Sequence, residues 1–109
     1  MSGSGSSRKE GGRSGAAAPR AESSCLLEHR PGLHVRAASV FVRTAQRFRA
    51  EVRVEAGGAT ADGKSIMELL TLAAVRGSTL RIVTQGPDAV RAARELAELV
   101  ERGFDEDIP

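Results

Sequence analysis

The run Glu51–Asp62, EVRVEAGGATAD, restricts the fold more than any other stretch of this chain. Val52, Val54 and Ala56 alternate with Glu51, Arg53 and Glu55, so a strand here has one apolar and one charged face. Gly57-Gly58 follows where a two-residue hairpin needs positive φ, and Ala59–Asp62 returns as a short partner strand. A sheet grown from this hairpin is antiparallel and is covered on one side only.

Helical periods flank the hairpin. From about Val35 to Arg49, apolar residues recur at Ala38, Phe41/Val42, Ala45 and Phe48. Downstream, Ser65 and Glu68 have capping-box spacing, and Ile66, Leu69, Leu70 and Ala73 give a short second helix its buried stripe, ended by Gly77-Ser78. Thr79–Gln85 is a β-branched strand. Gly86-Pro87-Asp88 opens a third helix with apolar Val90, Ala93, Leu96, Ala97 and Val100, and Gly103 is placed to cap its end. Ser24–Arg30, with Cys25, Leu26 and Leu27, reads as the first strand, and Pro31-Gly32 as a turn. The predicted order is βαββαβα. Three amphipathic helices on one face of a four-stranded, mostly antiparallel sheet make an α/β (α+β) two-layer sandwich.

The 109 residues suffice for one domain. Residues 1–23 hold four basic and two acidic side chains, five of the twelve glycines, and no Leu, Ile, Val or Phe. Such a segment buries too little apolar area to offset its ordering entropy, so it is expected to be a disordered basic extension. It lacks the apolar core of a secretory signal. Residues 24–104 are the expected domain and 105–109 an acidic frayed end. From residue 24 onward, 12 basic side chains balance 12 acidic ones, and the only aromatics are Phe41, Phe48 and Phe104. Balanced charge and scarce aromatics argue against a nucleic-acid reader. No apolar run reaches the ~18 residues of a membrane span. The single cysteine, Cys25, excludes an internal disulfide and a cysteine-based zinc site, and fits a reducing, cytoplasmic setting; it is expected to be buried and inert.

Few side chains offer chemistry. His34 follows a Pro-Gly turn and precedes the first helix, where first-turn N–H groups lie outside the helical ladder and the dipole is positive. That end disfavours the imidazolium and leaves a neutral ring with an available lone pair. A phosphoryl group on such a ring would be cradled by backbone donors, and Arg36 can add charge-assisted bonds. His29 ends the predicted first strand and reads as a solvated histidine. Ser65 reads as the N-cap of helix two. Arg36, Arg43 and Arg47 share one side of helix one and read as a solvated face. Met67 reads as either core filler or an exposed contact.

PGLHVRAAS at 31–39 resembles the active-site segment of the histidine-containing phosphocarrier proteins (HPr) of the bacterial phosphotransferase system. Lys64-Ser65-Ile66-Met67 resembles the segment around that family's regulatory serine, and Gly77-Ser78 also agrees. The resemblance runs over residues 24–103. It implies sheet order 1-4-2-3. It implies that His34 accepts a phosphoryl group on Nδ1 from phosphorylated enzyme I and passes it to an enzyme II A component or a regulatory target. Arg36 would balance the phosphoryl charge, and Ser65 would be the site of an HPr kinase/phosphorylase. Arg43, Arg47, Ile66, Met67 and Leu70 would form the docking surface. The chain would be a monomeric phosphoryl-transfer intermediate needing no metal or other cofactor. The family usually has proline where this chain has Ala37. The competing reading is a regulatory binding protein recognised through phosphorylated Ser65.

Overall fold

The computed structural model describes residues 18–105. The expected extension lies outside the described residues as far as residue 17, as do residues 106–109 of the expected frayed end.

Seven elements occur in the predicted order: β1 Arg20–Leu26, α1 Val35–Ala45, β2 Glu51–Ala56, β3 Ala59–Asp62, α2 Ile66–Thr71, β4 Thr79–Gln85 and α3 Ala89–Glu101. The sheet runs β1-β4-β2-β3, and every neighbouring pair is antiparallel. β4 is central, pairing Arg20↔Gln85 to Leu26↔Thr79 on one side and Glu51↔Gln85 to Glu55↔Arg81 on the other. Val52, Val54, Leu80 and Ile82 point into the core. There they meet Phe41 and Val42 of α1 and Leu96 and Val100 of α3. Burying one such large side chain contributes roughly 1.5–3 kcal/mol. The opposite sheet face is charged. Arg81 reaches Glu22 at 2.7 Å and Glu55 at 2.8 Å, spanning β1, β4 and β2. Its guanidinium, ahead of that of Arg20, holds the Glu22 carboxyl below its usual range.

Several element boundaries differ from expectation. The first strand lies at Arg20–Leu26 rather than Ser24–Arg30, so residues 20–23 of the expected extension are in the sheet. Its inward positions before Cys25 are Ala21 and Ser23, too small to give an apolar period, and the ladder to β4 fixes the register instead. α1 ends at Ala45, before a tight turn in which Phe48 donates its N–H to the Ala45 carbonyl at 3.1 Å. Asp88 secures the following residues, accepting from the N–H groups of Arg49 at 3.0 Å and Ala50 at 2.9 Å. α2 stops at Thr71, short of Gly77, with Ala73 at φ +51°. The capping box is only half formed. Ser65 Oγ accepts from Glu68 N–H, but the Glu68 carboxylate takes Asp62 N–H because Ser65 N–H is already bonded to the Asp62 carbonyl. In α3, Val90 faces solvent at 62% exposure, and Ala89 and Ala92 supply the buried stripe in its place. Gly103, as expected, ends α3: its N–H reaches Val100 O and Phe104 N–H reaches Leu99 O at 2.8 Å, a Schellman closure. Asp105, expected to fray, is held by Arg102 at 2.7 Å.

Candidate functional site

Beyond β1 the chain runs inward. Leu27 is fully buried, donating its N–H to Ser78 O at 2.8 Å and accepting Gly77 N–H at 2.7 Å. A turn then closes with Gly32 N–H on His29 O at 2.8 Å, and Leu33 N–H bonds to Ala74 O at 3.0 Å. Gly32 has φ +77°, and a Cβ there would stand 2.8 Å from Ala74 O and 3.1 Å from Val75 Cα. Only glycine allows this approach of two loops. Their contact seats the next residue, His34, at the start of α1.

His34 is the N-cap of α1, with extended backbone at φ −106° and ψ −179°. Its carbonyl accepts Ala38 N–H at 2.8 Å and closes the first turn. Its ring Nδ1 accepts Arg36 N–H at 3.2 Å. The imidazole thus does what a serine or aspartate oxygen does at most helix starts. The ring is partly exposed, and the first turn of α1 carries no acidic residue. A ring nitrogen therefore lies against backbone donors at the positive end of a helix dipole, an arrangement suited to a bound oxyanion.

His29 is where expectation failed. It is not a solvated strand end but only 5% exposed. Because β1 ends at Leu26, His29 lies in the inward turn. Its Nε2 is 3.2 Å from His34 Nε2, so the two rings meet tip to tip, with centroids 5.3 Å apart and planes inclined by 27°. Phe104 also lies edge-on to the His29 ring at 5.3 Å. One signal in the sequence could have found it: two histidines five residues apart, with a Pro-Gly turn between them.

Arg36 and Arg43 lie on α1 and Ile66, Met67 and Leu70 on α2, which packs against it; Ser65 caps α2, and Arg47, expected on helix one, lies in the turn beyond it because α1 ends at Ala45. Arg36, Arg43 and Arg47 are exposed. Ser65 is partly buried and occupied as the N-cap of α2, with its Oγ accepting Glu68 N–H at 3.2 Å. Ile66 and Leu70 are partly buried against the core, whereas Met67 is 76% exposed. Val35, beside His34, is also exposed, and the sequence reading missed it. Cys25 is buried, which pushes its thiol up to about 11. Among the described residues, no three His, Cys, Asp or Glu side chains are grouped to hold a metal ion. No described helix is long and apolar enough to cross a membrane.

Fold and site define an open α/β sandwich that displays an imidazole at the start of its first helix. The family model described as the PTS HPr component phosphorylation site matches residues 21–102. The phosphocarrier protein HPr of Borreliella burgdorferi is 46% identical over 70 residues, covering 64% of this chain and 81% of the relative. The HPr-like protein Crh of Halalkalibacterium halodurans is 39% identical over 71 residues, covering 65% and 84%. The crystal structure of HPr from Bacillus anthracis superposes with a TM-score of 0.69 at 37% identity, covering 72% of this chain and 94% of that one. The chain belongs to the HPr family of phosphocarrier proteins of the phosphotransferase system.

Proposed function

We propose that His34 is the phosphoryl acceptor of this carrier, taking the group on Nδ1 from phosphorylated enzyme I and handing it to enzyme II A components or regulatory targets in the cytoplasm. The observation that carries this reading is the hydrogen bond from Arg36 N–H to His34 Nδ1. It supports Nδ1 as the nitrogen with the available lone pair, beside a backbone donor that would hold a phosphoryl oxygen. The Arg36 guanidinium, two residues along the exposed helix start, would balance the added charge. His34 is partly exposed, so donor and acceptor proteins could approach it in turn for in-line transfer.

In this reading the chain is a monomer, and its partners dock across α1 and α2. Met67 supplies exposed apolar contact, Ile66 and Leu70 support it from partly buried positions, and Arg43 and Arg47 form a basic rim. Small interfaces of this kind suit rapid exchange. Ser65 serves an HPr kinase/phosphorylase as a regulatory site: a phosphate there adds about −2 charge beside Met67 and weakens docking of enzyme I. Similarity to an HPr-like protein Crh keeps a regulatory role read through Ser65 as the second reading.

The test is incubation with enzyme I and phosphoenolpyruvate, followed by acid. Acid-labile, base-stable label that disappears in His34→Ala is the expected result. Label that persists in His34→Ala, or acid-stable label formed only with ATP and a kinase, overturns the carrier assignment in favour of the second reading. A Ser65→Asp chain should accept phosphoryl groups more slowly than the parent.

A further inference from the structure

We propose that His29 is a positioning residue for His34: its Nε2 accepts the Nε2 proton of His34 and so keeps Nδ1 of the acceptor ring unprotonated. The proposal rests on the reading of His34 as phosphoryl acceptor, and its reasoning begins with a proton count. Nδ1 of His34 accepts the Arg36 amide proton, so it carries none of its own. A neutral imidazole has one ring proton, which is then on Nε2. That nitrogen is 3.2 Å from His29 Nε2, and one proton lies between the two. His29 Nε2 is therefore the acceptor, and the proton of the His29 ring is on its Nδ1. The opposite tautomer of His34 would set an Nδ1–H against the Arg36 N–H, two donors facing each other.

The fold holds the His29 ring in place for this task. The ring is buried, with its Nε2 tip toward His34 and Phe104 edge-on to it. Phe104 is itself fixed by the closure of α3, through its N–H on Leu99 O. Gly103 lies against His29 as well: a Cβ there would be 3.6 Å from His29 Nδ1. The end of the last helix thus sets the orientation of the ring that orients the acceptor.

The chemistry gains from this arrangement as transfer proceeds. A P–N bond in the phosphorylated nitrogen donor breaks, and its electron pair returns to the donor nitrogen. The Nδ1 lone pair of His34 forms the new P–N bond. Positive charge grows on the His34 ring, its Nε2–H becomes a stronger donor, and the bond to His29 strengthens while the proton stays on His34. A buried carboxylate plays this part beside the catalytic histidine of serine proteases. A neutral imidazole does so without setting a negative charge next to an incoming anionic group. Partners one step behind a reacting ligand commonly change activity 10–100-fold when removed.

The experiment reads ring tautomers directly, by long-range proton–nitrogen correlation on the full chain labelled with nitrogen-15 in histidine. The parent protein should show His34 protonated on Nε2 and His29 on Nδ1. His29→Phe keeps a ring but offers no acceptor. It should lose the single tautomer of His34 and slow phosphoryl acceptance from enzyme I about tenfold. His29→Asn, whose amide oxygen can accept, should restore both to within about threefold of the parent. The proposal is overturned if parent His34 is protonated on Nδ1, or if His29→Phe leaves tautomer and rate unchanged. Melting curves identify a variant that fails to fold, and the parent spectrum decides the tautomer without any variant. If the parent takes no phosphoryl group at all, the carrier reading fails, and the tautomer pattern still judges the pairing.

Discussion

Replacing Gly32 by alanine tests whether contact between the loop before α1 and the loop after α2 seats the site. Two costs can be worked from the geometry. At φ +77° an L-residue is in left-handed backbone, which costs about 1–2 kcal/mol. The new Cβ would also stand 2.8 Å from Ala74 O and 3.1 Å from Val75 Cα, both main-chain atoms that cannot rotate away. Forcing such contacts costs about 1–3 kcal/mol, which brings the total to roughly 2–5 kcal/mol. For a domain of this size, that lowers the thermal midpoint by about 8–40 °C. Gly57→Ala is the internal control, with φ +56° and nothing within 4 Å of the added carbon. It should pay only the backbone term, a fall of about 4–16 °C. Circular-dichroism melts of the two variants beside the parent decide the matter. Equal falls would refute the argument, because the clash with the second loop would then contribute nothing.

Ser65→Ala removes the oxygen that accepts Glu68 N–H and should cost about 1 kcal/mol, a drop of about 4–8 °C, whereas Ser65→Asp keeps an acceptor and should melt close to the parent. Cys25 is buried, with its thiol raised to about 11, so a thiol reagent at pH 8 should label the native chain far more slowly than the chain in denaturant. Fast, stoichiometric labelling of the native chain would contradict this burial. The backbone N–H of Arg49 first, and then that of Ala50, hold the Asp88 carboxyl below its usual 3.8. Its contribution is therefore complete above that value and fades as pH falls through the lowered one, so Asp88→Asn should flatten the acid limb of the stability curve below about pH 4.

The elements with one strong period were legible. β2 and β3 follow from alternation and a glycine pair, and β4 from its β-branched run. β1 was misplaced because Ala21 and Ser23 carry no apolar signal; a partner strand far along the chain defines it. The end of α2 was missed because Ala73 leaves the helix through a left-handed backbone that its side chain does not advertise. At the candidate site, the position of His34 at the start of α1 was legible, since a helix start is encoded within a few residues. His29 was not, because its burial depends on Phe104 at the opposite end of the domain. Neither periodicity nor composition joins those two positions.

The cap that His34 makes on its own helix carries a selectivity that needs no partner. The Arg36 amide has its proton on Nδ1, so any substituent attached to that nitrogen evicts it. An alkyl group would strand the amide and fray the helix. A group bringing oxygens of its own offers a replacement acceptor in the same place, and withdraws it again on departure. If His34 is the phosphoryl acceptor, the loaded and unloaded states would present the helix with equivalent terminations, and the exchange would be close to thermoneutral for the backbone in both directions.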